Sequence, residues 1–229
     1  MKVTGLLGGM TSESSAEYYK LINKLAREKM GGNHSAKSVM VSVDFGEVEP
    51  LMEQGKWDMV LDILSRASEN VEKGGADFLV ICTNTIHKFA EKIGDRINIP
   101  VLNIIDVTAE EIRNKGFKKV GLLGTRFTME EDFYKARLEK KHGIEAIIPS
   151  PDERKTIHSV IMKELSVGII NPDSREEYLK IIKNLAADGA QGVILGCTEI
   201  PLLVSDKDTD IPLFDTTLLH AKAAVNFAL

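Results

Sequence analysis

Residues 5–8 read Gly-Leu-Leu-Gly, and 116 positions later residues 121–124 read Gly-Leu-Leu-Gly again. Two further matches follow in the same order. Gly75-Ala76 returns as Gly189-Ala190, and Ile99-Pro100 returns as Ile211-Pro212, at offsets of 114 and 112. Each match is short by itself. Three in one order at nearly one offset predict an internal duplication of about half the chain.

The surroundings define the repeated unit. Residues 2–7 read as a strand, followed by a turn at Gly8-Gly9. Ser14 and Glu17 have capping-box spacing, and Tyr18, Leu21, Ile22 and Leu25 recur on one helical face. A second strand is expected near residues 38–44. A helix carrying Trp57, Val60, Leu61, Leu64 and Val71 should stop at Gly74-Gly75. Residues 78–82 are continuously apolar, as suits a strand buried on both faces. Helix, strand (101–105) and helix complete the first unit, and the pattern restarts. This alternation predicts an α/β protein of two pseudo-symmetric domains, each a parallel sheet flanked by helices. The expected division is 1–98 and 99–229, with a C-terminal helix over about 216–229 that can pack back on the first half.

Ligands of such sheets sit beyond the carboxyl ends of the strands. Four segments lie there: 8–12 (GGMTS), 83–85 (TNT), 124–128 (GTRFT) and 197–199 (CTE). With the halves facing each other, these loops are expected to surround an active site in an interdomain cleft. The 114-residue offset aligns Thr83 with Cys197, Asn84 with Thr198, Thr85 with Glu199 and Cys82 with Gly196. Side chains along a strand alternate in direction, so a one-residue shift reverses the face. Thr83 and Cys197 are therefore expected to face the cleft and Cys82 the core. Two opposed groups suit a reaction that removes a proton from one face of a carbon and returns one to the other. A thiol is a reasonable base, because its ordinary pKa of about 8.5 can be lowered in a cleft. Met10, Thr11, Asn84, Thr85, Thr125, Arg126, Thr198 and Glu199 are the candidate substrate contacts. Hydroxyls, amides and the N–H groups of helix starts can hold a substrate carboxylate. Plainer roles compete. Thr83 and Thr198 can cap the following helices, Cys197 can be a small core residue, and His87, a turn into its helix, can be structural. Arg126 can be a surface charge or a substrate clamp.

Composition narrows the function classes. The 229 residues carry a net charge of -5 with both signs interspersed, so no nucleic-acid partner is expected. No apolar run reaches the roughly 18 residues of a spanning helix, so no membrane partner is expected. MKVTGLLGGM reads as a first strand rather than a leader. Two cysteines, Cys82 and Cys197, fit a cytoplasmic location with no disulfide framework. Gly8-Gly9 does not fit the dinucleotide pattern G-x-G-x-x-G, and His34, His142, His158 and His220 lack metal-ligand spacing. Neither a cofactor nor a metal is expected.

GLLGGM at 5–10, TNTIH at 83–87 and GCTEI at 196–200 resemble the signature segments of the aspartate/glutamate racemase family. That family includes glutamate, aspartate and hydantoin racemases. The similarity of order and spacing spans essentially the whole chain. It implies racemisation of an amino-acid substrate without pyridoxal phosphate, by two facing residues that are normally both cysteines. It also implies two pseudo-symmetric α/β domains and a homodimer, with the second cysteine serving the L-enantiomer. One departure is plain. The usual first motif has cysteine immediately before Asn-Thr; here Thr83 stands there, with Cys82 one position earlier. Whether Thr83 or Cys82 is the second proton-transfer group stays open at this point. So do a hydantoin racemase, a maleate isomerase or decarboxylase of the same fold, and a non-enzymatic small-molecule binding protein. Aspartate-selective relatives are expected to carry an arginine after the second strand. Residues 43–54 instead hold Asp44, Glu47, Glu49 and Glu53, with no arginine or lysine, which predicts weak selection for an acidic side chain.

Overall fold

The computed structural model describes all 229 residues. Its eight strands are β1 (Thr4–Gly8), β2 (Ser38–Ser42), β3 (Phe78–Ile81), β4 (Val101–Leu102), β5 (Lys119–Gly124), β6 (Glu145–Ile147), β7 (Val193–Gly196) and β8 (Leu213–Asp215). They form two four-stranded parallel sheets, ordered β2-β1-β3-β4 and β6-β5-β7-β8. The order is the same in both, as the repeated sequence requires. No helix is long and apolar enough to cross a membrane.

The chain divides into two compact units. One holds Met1–Asn103 with His220–Leu229, and the other Ile104–Leu219. The division falls after Asn103 rather than at the 98/99 boundary expected from the sequence. The reason is β4: Val101 and Leu102 pair with Leu79 and Val80 of β3 and so belong to the first sheet. That strand is also shorter than the 101–105 expected from the sequence, because a helix begins at Ile104.

In the first unit β1 and β3 are buried along their whole length. Leu6, Phe78 and Val80 pack against Tyr18, Ile22 and Ala26 of the helix Ser12–Met30. Ala221, Ala224, Val225 and Ala228, from the helix Thr216–Ala228, join the same cluster. In the second unit the strand period of two sorts the residues onto two faces. Leu123, Val193 and Leu195 pack with Ile157, Tyr178 and Ile181, while Val120, Leu122 and Ile194 pack with Ile104, Ile105 and Tyr134. Helices therefore cover both faces of that sheet, which explains why β7 and residues 120–124 of β5 are apolar, with Lys119 only at the β5 start.

Two local expectations change. The first helix is capped by Thr11, whose Oγ1 accepts from the Ser14 N–H at 3.3 Å, so the Ser14–Glu17 capping box does not form. Residues 43–54 contain a further helix, Phe45–Glu53, capped by Asp44. The helix over Trp57–Lys73 ends at Gly74, and Gly75 has φ +90°, the left-handed turn its glycine permits.

Candidate active site

The sheet registers repeat the alignment read from sequence. Gly5 pairs with Leu79 in the first sheet, and Gly121 with Val193 in the second. Equating Gly5 with Gly121 equates Leu79 with Val193, and hence Thr83 with Cys197 and Cys82 with Gly196. Each unit thus presents the same arrangement: two adjacent central strands whose loops leave side by side at the carboxyl edge.

In the first unit these are the loops after β1 and β3, with Met10, Thr11, Thr83, Asn84 and Thr85. Thr11 and Thr83 are half-buried, while Met10, Asn84 and Thr85 are buried. The β1 loop runs against the β2 end so closely that a Cβ on Gly9 would lie 2.1 Å from the Val43 carbonyl oxygen, and Gly9 has φ +94°. Only glycine fits there. Ser15 stitches the loop from within: its Oγ accepts from the Gly9 N–H at 2.7 Å and donates to the Thr11 carbonyl at 2.8 Å. Ser14 Oγ shares its one proton between the Thr11 carbonyl at 3.0 Å and the Cys82 carbonyl at 3.2 Å, tying the helix start to the end of β3. Cys82 itself is 1% exposed, and burial pushes its thiol well above the usual range.

In the second unit Thr125, Arg126, Cys197, Thr198 and Glu199 follow β5 and β7. Thr125 caps the short helix Arg126–Glu130 by accepting from the Thr128 N–H. It plays the capping role that Thr11 plays for the first helix. The Arg126 guanidinium lies 4.7 Å from the Phe127 ring centre, and its backbone N–H donates to His158 Nδ1 at 3.4 Å. The capping role considered for Thr83 and Thr198 is not theirs. The short helices that follow start from Asn84 and Glu199, without side-chain caps.

Cys197 is half-buried, and its Sγ–H donates to Glu199 Oε2 at 3.0 Å. Glu199 is 5% exposed. Burial pushes the Cys197 thiol well above its ordinary value, and the Glu199 carboxylate pushes it further. The lowered thiol pKa expected from sequence is thus reversed. A desolvated sulfur beside an anion keeps its proton.

Sequence reasoning missed a buried polar cluster in the first unit. The His87 Nδ1–H donates to the Thr83 carbonyl at 2.7 Å, because a carbonyl only accepts. The His87 ring meets His220 edge-on, with centroids 5.6 Å apart. His220 Nε2–H donates to the Leu102 carbonyl at 2.8 Å, so its neutral ring accepts from the Tyr18 hydroxyl at Nδ1, 2.9 Å away. Burial first, and His87 second, bring the His220 pKa down to about 3. Tyr18 and His220 lie 202 residues apart, and no local sequence signal joins them.

Comparison with known proteins agrees with this architecture. A Yersinia pestis protein, whose crystal structure is described as that of a candidate Asp/Glu racemase, superposes with TM-score 0.93 at 47% identity, covering 100% of this chain and 99% of that one. An aspartate racemase homologue from Pyrococcus horikoshii OT3 gives TM-score 0.87 at 34% identity, over 100% and 99% of the two chains. The broad specificity amino-acid racemase RacX of Bacillus subtilis (strain 168) is 27% identical over 159 residues, 68% of this chain and 66% of RacX, a little under two thirds of that protein's length. The profile of the Asp/Glu/Hydantoin racemase family matches residues 7–224, nearly the whole sequence. The chain therefore belongs to the Asp/Glu/Hydantoin racemase family.

Proposed function

We propose that this protein is a cofactor-independent racemase that interconverts the L- and D-enantiomers of aspartate, glutamate or a related amino acid at Cα. The observation that carries this reading is the Cys197–Glu199 pair, standing in the loop that the internal repeat equates with the Thr83 loop. As the Cys197 sulfur takes the α-proton from one face, its own proton passes to the hydrogen-bonded Glu199 carboxylate, so no standing thiolate is needed. The electron pair left on Cα delocalises into the substrate carboxylate. Backbone N–H groups and the hydroxyls and amides of Thr11, Asn84, Thr85, Thr125 and Thr198 stabilise that charge, with Met10 and Arg126 beside them. The Thr83 hydroxyl gives up a proton to the opposite face and regains one from water. A threonine hydroxyl is a much weaker acid than a thiol, so this second transfer is the slow one. Cys82, buried and facing the core, has no part in it.

Substrate choice follows from charge. The helix Phe45–Glu53 carries Glu47, Glu49 and Glu53 and no cation, so it gives an acidic side chain no ionic partner. The broad specificity named for RacX supports the same reading. The test is chiral chromatography with L-aspartate, L-glutamate, L-methionine and L-homoserine, in dialysed protein with chelator and no added pyridoxal phosphate. The expected result is D-product from more than one substrate. Aspartate should be preferred by less than about a thousandfold in kcat/KM, roughly 4 kcal/mol of transition-state discrimination. Stronger preference contradicts the substrate assignment. Turnover of hydantoins or maleate alone moves the protein to another reaction of its family, and no turnover of any amino acid contradicts the racemase reading.

A further inference from the structure

We infer that His87 is a positioning residue for Thr83, held in place by a hydrogen-bonded brace of Tyr18 and His220; this rests on the racemase reading above. Strand β3 ends at Ile81, and the last sheet bond of this segment is Cys82 N–H to the Leu7 carbonyl, 2.9 Å. Beyond it the chain turns into the short 3-10 helix Thr85–Phe89. Thr83 sits in that gap, so side-chain bonds take over its alignment. Ser14 holds the Cys82 carbonyl, and the His87 Nδ1–H holds the Thr83 carbonyl at 2.7 Å. Rotation of the Thr83 peptide would break the second bond and leave a buried imidazole donor unsatisfied.

The imidazole is itself kept from turning. His220 lies edge-on to it and is fixed from two sides, by the Tyr18 hydroxyl and the Leu102 carbonyl. All three rings are buried. The fold does not need this device. At the equivalent place of the internal repeat stands Pro201, and the Cys197 carbonyl there accepts the backbone N–H of Ile200 at 3.2 Å. The brace is thus specific to the half whose proton-transfer group is the weak acid. A hydroxyl transfers a proton only when aimed at the carbon, and a 1 Å misplacement can cost about a hundredfold.

The test compares the unmutated enzyme with His87→Leu and His87→Asn in D2O. Proton NMR follows loss of the α-proton signal from the L-substrate, and chiral chromatography follows inversion. In His87→Leu, inversion is expected to fall at least tenfold more than exchange, because exchange needs only the Cys197 face. His87→Asn keeps an N–H near the Nδ1 position and should restore most of the ratio. Loss of packing alone would lower both rates together. An exchange-to-inversion ratio unchanged in His87→Leu, whether both rates survive or both fall, overturns the positioning role alone. Absence of both processes in the unmutated protein overturns the racemase reading and this role with it.

Discussion

Replacing Cys197 with serine is expected to reduce both α-proton exchange and racemisation by a thousandfold or more, with folding unchanged. The substitution swaps sulfur for oxygen at a half-buried position and keeps a hydrogen-bond donor toward Glu199. What changes is acidity. The thiol is already held above its ordinary value by burial and by the Glu199 carboxylate. Glu199 can still accept the sulfur's proton in step with removal of the α-proton. It cannot draw one from an alcohol, which is almost never ionised at neutral pH. Cys82→Ala is the matched control. That thiol is buried, and its acidity is suppressed by burial, so catalysis should stay nearly intact. Activity lost in Cys82→Ala but retained in Thr83→Ala would identify Cys82 as the second base. More than a tenth of the original rate in Cys197→Ser would remove Cys197 from the reaction.

The second large effect is on stability in acid. His220 is buried and neutral, with a pKa of about 3 against 6.5 for an ordinary histidine. An unfolded chain protonates it near 6.5, so below that pH the unfolded state binds the extra proton and stability falls until the folded value is reached. A fall from 6.5 to about 3 corresponds to roughly 4–5 kcal/mol, present above pH 6.5 and lost by pH 3. Urea unfolding midpoints measured between pH 7 and pH 4 should drop steeply. His220→Gln should be less stable at pH 7 and have a flatter pH dependence. Parallel pH curves for the two proteins would show that another group carries the acid sensitivity.

Much of the architecture was legible because glycines and apolar runs report backbone demands directly. GLLG marks the buried stretches of β1 and β5, and the repeat offset reproduces the strand register. Local polar choices were less legible. Ser14 and Glu17 have capping-box spacing, but Thr11 stands nearer the end of β1 and takes the cap, leaving Ser14 to hold the Cys82 carbonyl. The helix Phe45–Glu53 escaped notice because Gly46 and Pro50 interrupt its helical signal. The candidate site was legible as residue types: Cys197, Thr83 and their neighbours at strand ends. Its electrostatics were not. The Cys197 thiol is raised rather than lowered because Glu199, two residues on, turns its carboxylate back onto the sulfur. The Tyr18–His220–His87 brace joins three distant stretches of chain, and only folding reveals it.

In the proposed reaction Cys197 moves the α-proton quickly on one face while Thr83 completes the crossing slowly. Enantiomers have equal free energy in an achiral solvent, so kcat/KM for net inversion must be the same in both directions. Exchange without inversion carries no such constraint. The most direct measurement is therefore the rate of α-proton loss in D2O, taken separately for the L- and D-forms of the best substrate and compared with inversion. The L-substrate is expected to exchange faster than the D-enantiomer appears, and faster than the D-substrate exchanges. Equal exchange rates from the two enantiomers, each matching inversion, would contradict it.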